Sequence, residues 1–155
     1  MLGLTNLGVI HTGISLVAVV TGFQSIIAHR EITTKNRVGQ IYLIATVLTA
    51  ATGLGIFQHG GFGIPHVLSL MTLAAVAGGL WFGSSRRLQA VFFTTTLFFH
   101  MIPGFAESLT RLPPSNPVFA SQEAPGLAAI HAALLVLYAI GLVIQLRWLK
   151  QVEGK

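Results

Sequence analysis

The sequence predicts an all-α integral membrane protein: a five-helix transmembrane bundle in a single domain covering residues 1–155, with its N-terminus outside and its C-terminus cytoplasmic. Three observations carry that expectation. Hydrophobic residues make up 53% of the chain and charged residues only 8%, whereas a soluble domain carries about a quarter charged residues. Such a chain cannot cover a water-facing surface. Five apolar stretches approach the roughly 20 residues that a helix needs to cross a hydrocarbon core. Eight of the nine Lys and Arg residues fall on one side of the resulting threading, and that side is cytoplasmic by the positive-inside rule.

The first span covers about residues 7–28, and helix is the only open conformation because lipid offers no partner to backbone N–H and C=O groups. No basic segment precedes this run and no small-residue cleavage site follows it, so it reads as a retained helix. Along it His11, Ser15, Ala18, Gly22, Ser25 and His29 share one face. Arg30, Lys35 and Arg37 form the first inner loop, and the second span follows at about 38–57. Its face of Tyr42, Thr46, Thr49 and Gly53 matches the first stripe. Small and weakly polar stripes of this kind serve close helix packing in lipid. As a proton track they would lack the buried carboxylate that pumps and ion-coupled carriers use, since Asp and Glu are absent from every span.

His59 and His66 flank a glycine-rich outer turn, and a third span covers about 67–82. Arg86 and Arg87 mark the second inner loop before a fourth span at about 88–103. Both are short, so they borrow flanking residues or stand nearly upright. The outer loop, about 104–125, contains Pro113, Pro114, Pro117 and Pro125 and is expected to lie along the surface as a lid. Within it Glu107 and Arg111, four apart, would pair on a short interfacial helix. The fifth span covers about 126–148, with Arg147, Lys150 and Lys155 at or beyond its inner end.

Composition also removes whole classes of function. There is no cysteine, hence no disulfide, iron–sulfur or thiol chemistry. The net charge of +5 resides in short loops, so nucleic acid is not an expected partner.

Five of the six histidines end near the outer face. His11, His100 and His131 lie within two or three turns of it inside apolar helices, and His59 and His66 sit in the loop there. Imidazole is costly in lipid and at that depth faces a bundle interior, pairs with another group, or holds a metal or cofactor. Three chemistries are open. Haem b could be held by an axial pair from facing helices, with His11, His100, His131 and His66 as candidate ligands and Arg111 compensating a propionate. A copper, zinc or iron ion could be bound by imidazoles from His11, His66, His100 and His131, with Glu107 or water completing the set. Alternatively, the histidines could hydrogen-bond between helices in a non-redox scaffold or accessory subunit.

The stretch Asn36-Arg37-Val38-Gly39-Gln40-Ile41-Tyr42, and the segment through Ala51-Thr52-Gly53-Leu54, resembles an uncharacterised family of predicted bacterial multi-pass membrane proteins. Its members carry a His-Arg-x-Gly-x-x-Tyr sequence where the first inner loop enters the second helix. The likeness extends through the third span, and Asn36 stands where that histidine is expected. The layout of short helices with histidines near one face is also similar to small b-type membrane cytochromes, as architecture alone.

Together these readings point to a bacterial cytoplasmic (inner) membrane protein with an outward-facing histidine cluster that binds haem or a transition metal. Electron transfer or metal and haem handling is the leading expectation, possible as a membrane oxidoreductase, with no catalytic residue assignable. Its partners would be the bilayer, a quinol or periplasmic redox protein, a larger membrane complex or a second copy. A metal-ion carrier is the remaining class.

Overall fold

The computed structural model describes residues 5–57 and 61–154. Five helices account for most of them, and the described residues contain no strand. They are α1 (Asn6–His29), α2 (Arg37–Gly53), α3 (Ile64–Trp81), α4 (Arg86–Arg111) and α5 (Pro125–Glu153). Four of them, α1, α3, α4 and α5, are long and apolar enough to cross a membrane. At 17 residues, α2 is about 25 Å long and shorter than a typical hydrocarbon core of about 30 Å.

The helix starts are set by short-range chemistry. Thr5, Asn36 and Ser85 cap α1, α2 and α4, each accepting a hydrogen bond from the backbone N–H three residues on, at 3.1, 2.8 and 3.4 Å. Pro125 opens α5 and Pro65 lies in the first turn of α3, where a missing N–H costs no helical bond.

The segment Asn36 to Tyr42 has a structural rationale. Asn36 caps the helix, and Gly39 lies so close to the Thr33 carbonyl that any Cβ would collide with it. Tyr42, one turn further on, is fully buried. Cap, close approach and anchor thus follow one another at helical spacing.

Several boundaries depart from the sequence reading. α4 continues through Pro103 to Arg111, so the expected 104–125 loop is shortened to 112–124. Proline deprives the Phe99 carbonyl of its helical partner but leaves later residues free to continue. Ala106, Glu107 and the Glu107–Arg111 ion pair support that continuation, and Pro113 then ends it by disfavouring helix at Leu112. The expected interfacial helix is therefore the last two turns of α4. α2 stops at Gly53 rather than residue 57, and α3 begins at Ile64 rather than 67.

α4 is the central helix, touching α1, α3 and α5, while α1, α2 and α3 pack in sequence beside it. Its buried residues Gln89, Phe93, Thr96, Leu97 and His100 lie on one face at three- and four-residue spacing. The densest packing joins α1, α2 and α4 around Ala18, Tyr42, Leu43, Ala45, Phe93 and Leu97. Gly22 lets these helices approach, since a Cβ there would lie 2.8 Å from both Leu97 and the Tyr42 ring. The loop between α1 and α2 folds into the bundle with them: Ile32 is fully buried, and Glu31 receives Arg86 Nε at 3.0 Å and a terminal guanidinium nitrogen at 2.6 Å. The outer surfaces of α1 and α5 present exposed Val9, Ile10, Leu16, Leu135, Val136 and Ile140.

Candidate histidine site

The α1 and α2 faces read as stripes in the sequence meet the buried face of α4 in a hydrogen-bonded seam. At the level of the second and third turns of α2, the Tyr42 hydroxyl lies 2.6 Å from Thr96 Oγ1. One turn further out, His100 Nε2 meets Thr46 Oγ1 at 3.1 Å, and its Nδ1 approaches Ser15 Oγ at 3.5 Å. His100 thereby joins α4 to both α1 and α2, with both ring nitrogens engaged and only 5% of its surface exposed. The ring of Tyr42 presents its edge to the same imidazole at 6.3 Å.

His11 stands one turn outside Ser15, with Nδ1 3.0 Å from Thr52 Oγ1. The Thr52 hydroxyl donates its single proton back to the carbonyls of Leu48 and Thr49, at 2.8 and 3.0 Å. Its oxygen must accept from His11, which assigns the proton of a neutral imidazole to Nδ1 and leaves the Nε2 lone pair uncommitted. Gly53 permits this approach, since a Cβ there would sit 2.7 Å from Ser69 Oγ and 3.3 Å from the His11 ring.

His66 is used differently. The Gly63 backbone N–H donates to its Nδ1 at 3.1 Å, closing the first turn of α3. Its ring is packed between Phe57 and Phe62 at 4.6 and 5.2 Å, and Nε2 is buried with no hydrogen-bond partner among the described residues. His59 lies outside the described residues.

His131 belongs to another pattern. Its Nε2 donates to the Ile102 carbonyl at 3.1 Å. Seven residues on, Tyr138 OH lies 2.7 Å from Thr95 Oγ1, and seven further, Gln145 Oε1 accepts from Thr94 Oγ1 at 2.9 Å. Two helical turns separate each rung, so His131, Tyr138 and Gln145 share the face that fastens α5 to α4. Phe98 stacks on Tyr138 at 4.8 Å between them. The Gln145 amide also donates to the Arg30 carbonyl at 2.8 Å, tying in the end of α1.

The structure thus brings His11 and His100 onto one seam, one turn apart along α1, while His66 and His131 serve separate local contacts. Among the described residues, no three His, Asp or Glu side chains converge as a metal-holding group. Arg111 is ion-paired with Glu107, which also accepts from Gln122 Nε2 at 3.1 Å.

Sequence reasoning passed over the two buried amides. Gln89 bonds the Gly79 carbonyl at 3.3 Å and Thr33 at 3.5 Å, and Gln145 bridges α1, α4 and α5. Their signal was present, because an amide inside an apolar helix needs partners as an imidazole does. The chain matches no family model, no curated protein and no solved structure.

Proposed function

We propose that this chain is a non-redox subunit of a bacterial cytoplasmic membrane, a five-span scaffold whose buried histidines hold helices together. Its N-terminus lies outside, and membership of the bacterial multi-pass family suggested by residues 36–54 is part of the same reading. One observation carries it: His100 is buried with both ring nitrogens in hydrogen bonds to side chains of two other helices. An imidazole so committed stabilises a three-helix contact and has no lone pair to spare. The inner-side cluster of Arg30, Lys35, Arg37, Arg86 and Arg87 supports the orientation.

A second reading, binding of haem or of a copper, zinc or iron ion for electron transfer or metal handling, is favoured by one specific feature. His11 Nε2 and His131 Nδ1 each keep an unshared lone pair, because the opposite nitrogen donates to an oxygen, which is the second-shell arrangement that prepares an imidazole as a ligand. Such binding would draw on half-buried His11 or His131, each at its own place in the bundle, rather than on His100 or His66.

Elemental analysis and an absorption spectrum of the purified full chain separate the two. A colourless, metal-free protein that stays folded supports the scaffold. A Soret band with stoichiometric iron, or bound copper or zinc lost on His11→Ala or His131→Ala, overturns it. Topology is tested by reporters: one at the C-terminus should work only in the cytoplasm, and one at Ser115 only outside.

A further inference from the structure

We infer that the cleft between α1 and α5 is a binding site for one anionic phospholipid of the inner leaflet. The cleft is about 660 Å³, floored by α4 through Thr94, Leu97, Phe98, Met101 and Phe105. Its walls are almost wholly apolar along two helices, matching an acyl chain, and polar chemistry is concentrated at the inner end, where Arg30, Gln145 and Trp148 line it.

Arg30 is held at that rim by its backbone. It ends α1 in the left-handed region at φ 60°, an uncommon conformation for a residue with a Cβ. Its N–H bonds the Ile26 carbonyl at 2.9 Å and its carbonyl accepts from Gln145 at 2.8 Å. The guanidinium lies 5.9 Å over the Trp148 ring. No carboxylate pairs with Arg30 among the described residues: Glu31 is on Arg86, Glu153 on Arg87 and Glu107 on Arg111, while Glu123 lies in the loop after α4.

An apolar groove ending in an uncompensated cation at the cytoplasmic side complements a lipid with a negative headgroup, and basic pockets between helices on that side are suited to such lipids. The inference rests on the membrane reading above, and not on the role of the histidines.

The test uses tryptophan fluorescence. Trp148 becomes the sole tryptophan in a Trp81→Phe background, and the full chain is placed in nanodiscs with brominated acyl chains carried by either phosphatidylglycerol or phosphatidylcholine. Brominated phosphatidylglycerol should quench Trp148 at a concentration about tenfold lower than brominated phosphatidylcholine. Arg30→Gln should abolish that preference, and Arg30→Lys should retain most of it. Gly141→Phe, at a cleft position where a Cβ meets nothing within 4 Å, should remove the quenching from both lipids without unfolding the chain. Equal quenching by the two lipids, or a preference that survives Arg30→Gln in folded protein, overturns the proposal. Absence of quenching by either lipid, with a second polypeptide co-purifying, overturns it in favour of a partner helix. Nanodisc leaflets are alike, so the quenching tests the lipid and the reporters test the leaflet: a reversed topology overturns the inner-leaflet assignment and leaves the anionic-lipid site standing.

Discussion

α5 and the α1–α2–α4 core solve the same problem by opposite means. In the core, small residues let helices come close enough for van der Waals contact to dominate, and the polar groups are buried inside that contact. Gly22 against Tyr42 and Leu97, with fully buried Ala18, Thr46 and Phe93, shows the pattern. α5 contains the most apolar stretch of the four candidate spans, and that stretch is the least buried; the buried residues of α5 are Leu127, Gln145 and Leu149. It touches α4 without a small-residue seam and is held by the three polar rungs at His131, Tyr138 and Gln145. Lipid gives apolar surface no reason to leave it, so a helix can be greasy and still need polar fasteners to stay docked.

Four experiments sharpen that contrast. The largest effect is expected where a core contact is made by backbone. Gly39→Ala drives a methyl group into the Thr33 carbonyl and should cost about 3 kcal/mol, at the upper end for overpacking, measured by reversible unfolding in mixed micelles. A loss below about 1 kcal/mol would mean that the inner loop yields and the core is not close-packed there. Next, His100→Leu breaks contacts to Ser15 and Thr46; about 1–2 kcal/mol is expected for two side-chain hydrogen bonds between membrane helices, on the proposed reading.

The α5 rungs should be individually weaker and cumulative. Gln145→Leu alone should cost about 0.6 kcal/mol per lost bond. Combined with Tyr138→Phe and His131→Leu it should raise hydrogen exchange in α5 while amides of α1, α2 and α4 keep their protection. Equal loss of protection in all helices would erase the distinction between the two regions. Smallest is Arg111→Ala, which removes a partly exposed ion pair with Glu107 and should shift stability by about 0.5 kcal/mol or less.

Apolar run length made the five helices legible in the sequence, because in the proposed membrane setting the backbone has no alternative to helix. Faces were legible too: Tyr42, Thr46, Thr49 and Gly53 are all buried, and Gly22 and Ser25 with them. Helix ends were less so. Pro103 suggested a stop and α4 continues past it, because a proline removes one bond behind itself and none ahead. The site was only half legible. Depth placed His11, His100 and His131 at one level, yet depth carries no angular information, and His131 proved to be the first rung of a seven-residue ladder completed by a phenol and an amide. That ladder was visible in spacing to a search that counted hydroxyls and amides beside imidazoles. The burial of the inner loop was not visible, because the closeness of Gly39 to Thr33 and of Glu31 to Arg86 is tertiary.

That last pairing also bears on the order in which the chain can be assembled. Glu31 and Arg86 are separated by 55 positions, and synthesis delivers them in turn. When α1 and α2 have been made and α4 has not, the Glu31 carboxylate, the Thr33 hydroxyl and the Tyr42 phenol have yet to meet Arg86, Gln89 and Thr96. All three partners arrive together on the first three turns of α4. The fourth helix is therefore the event that closes this end of the bundle, and a chain stopped before it would remain open there.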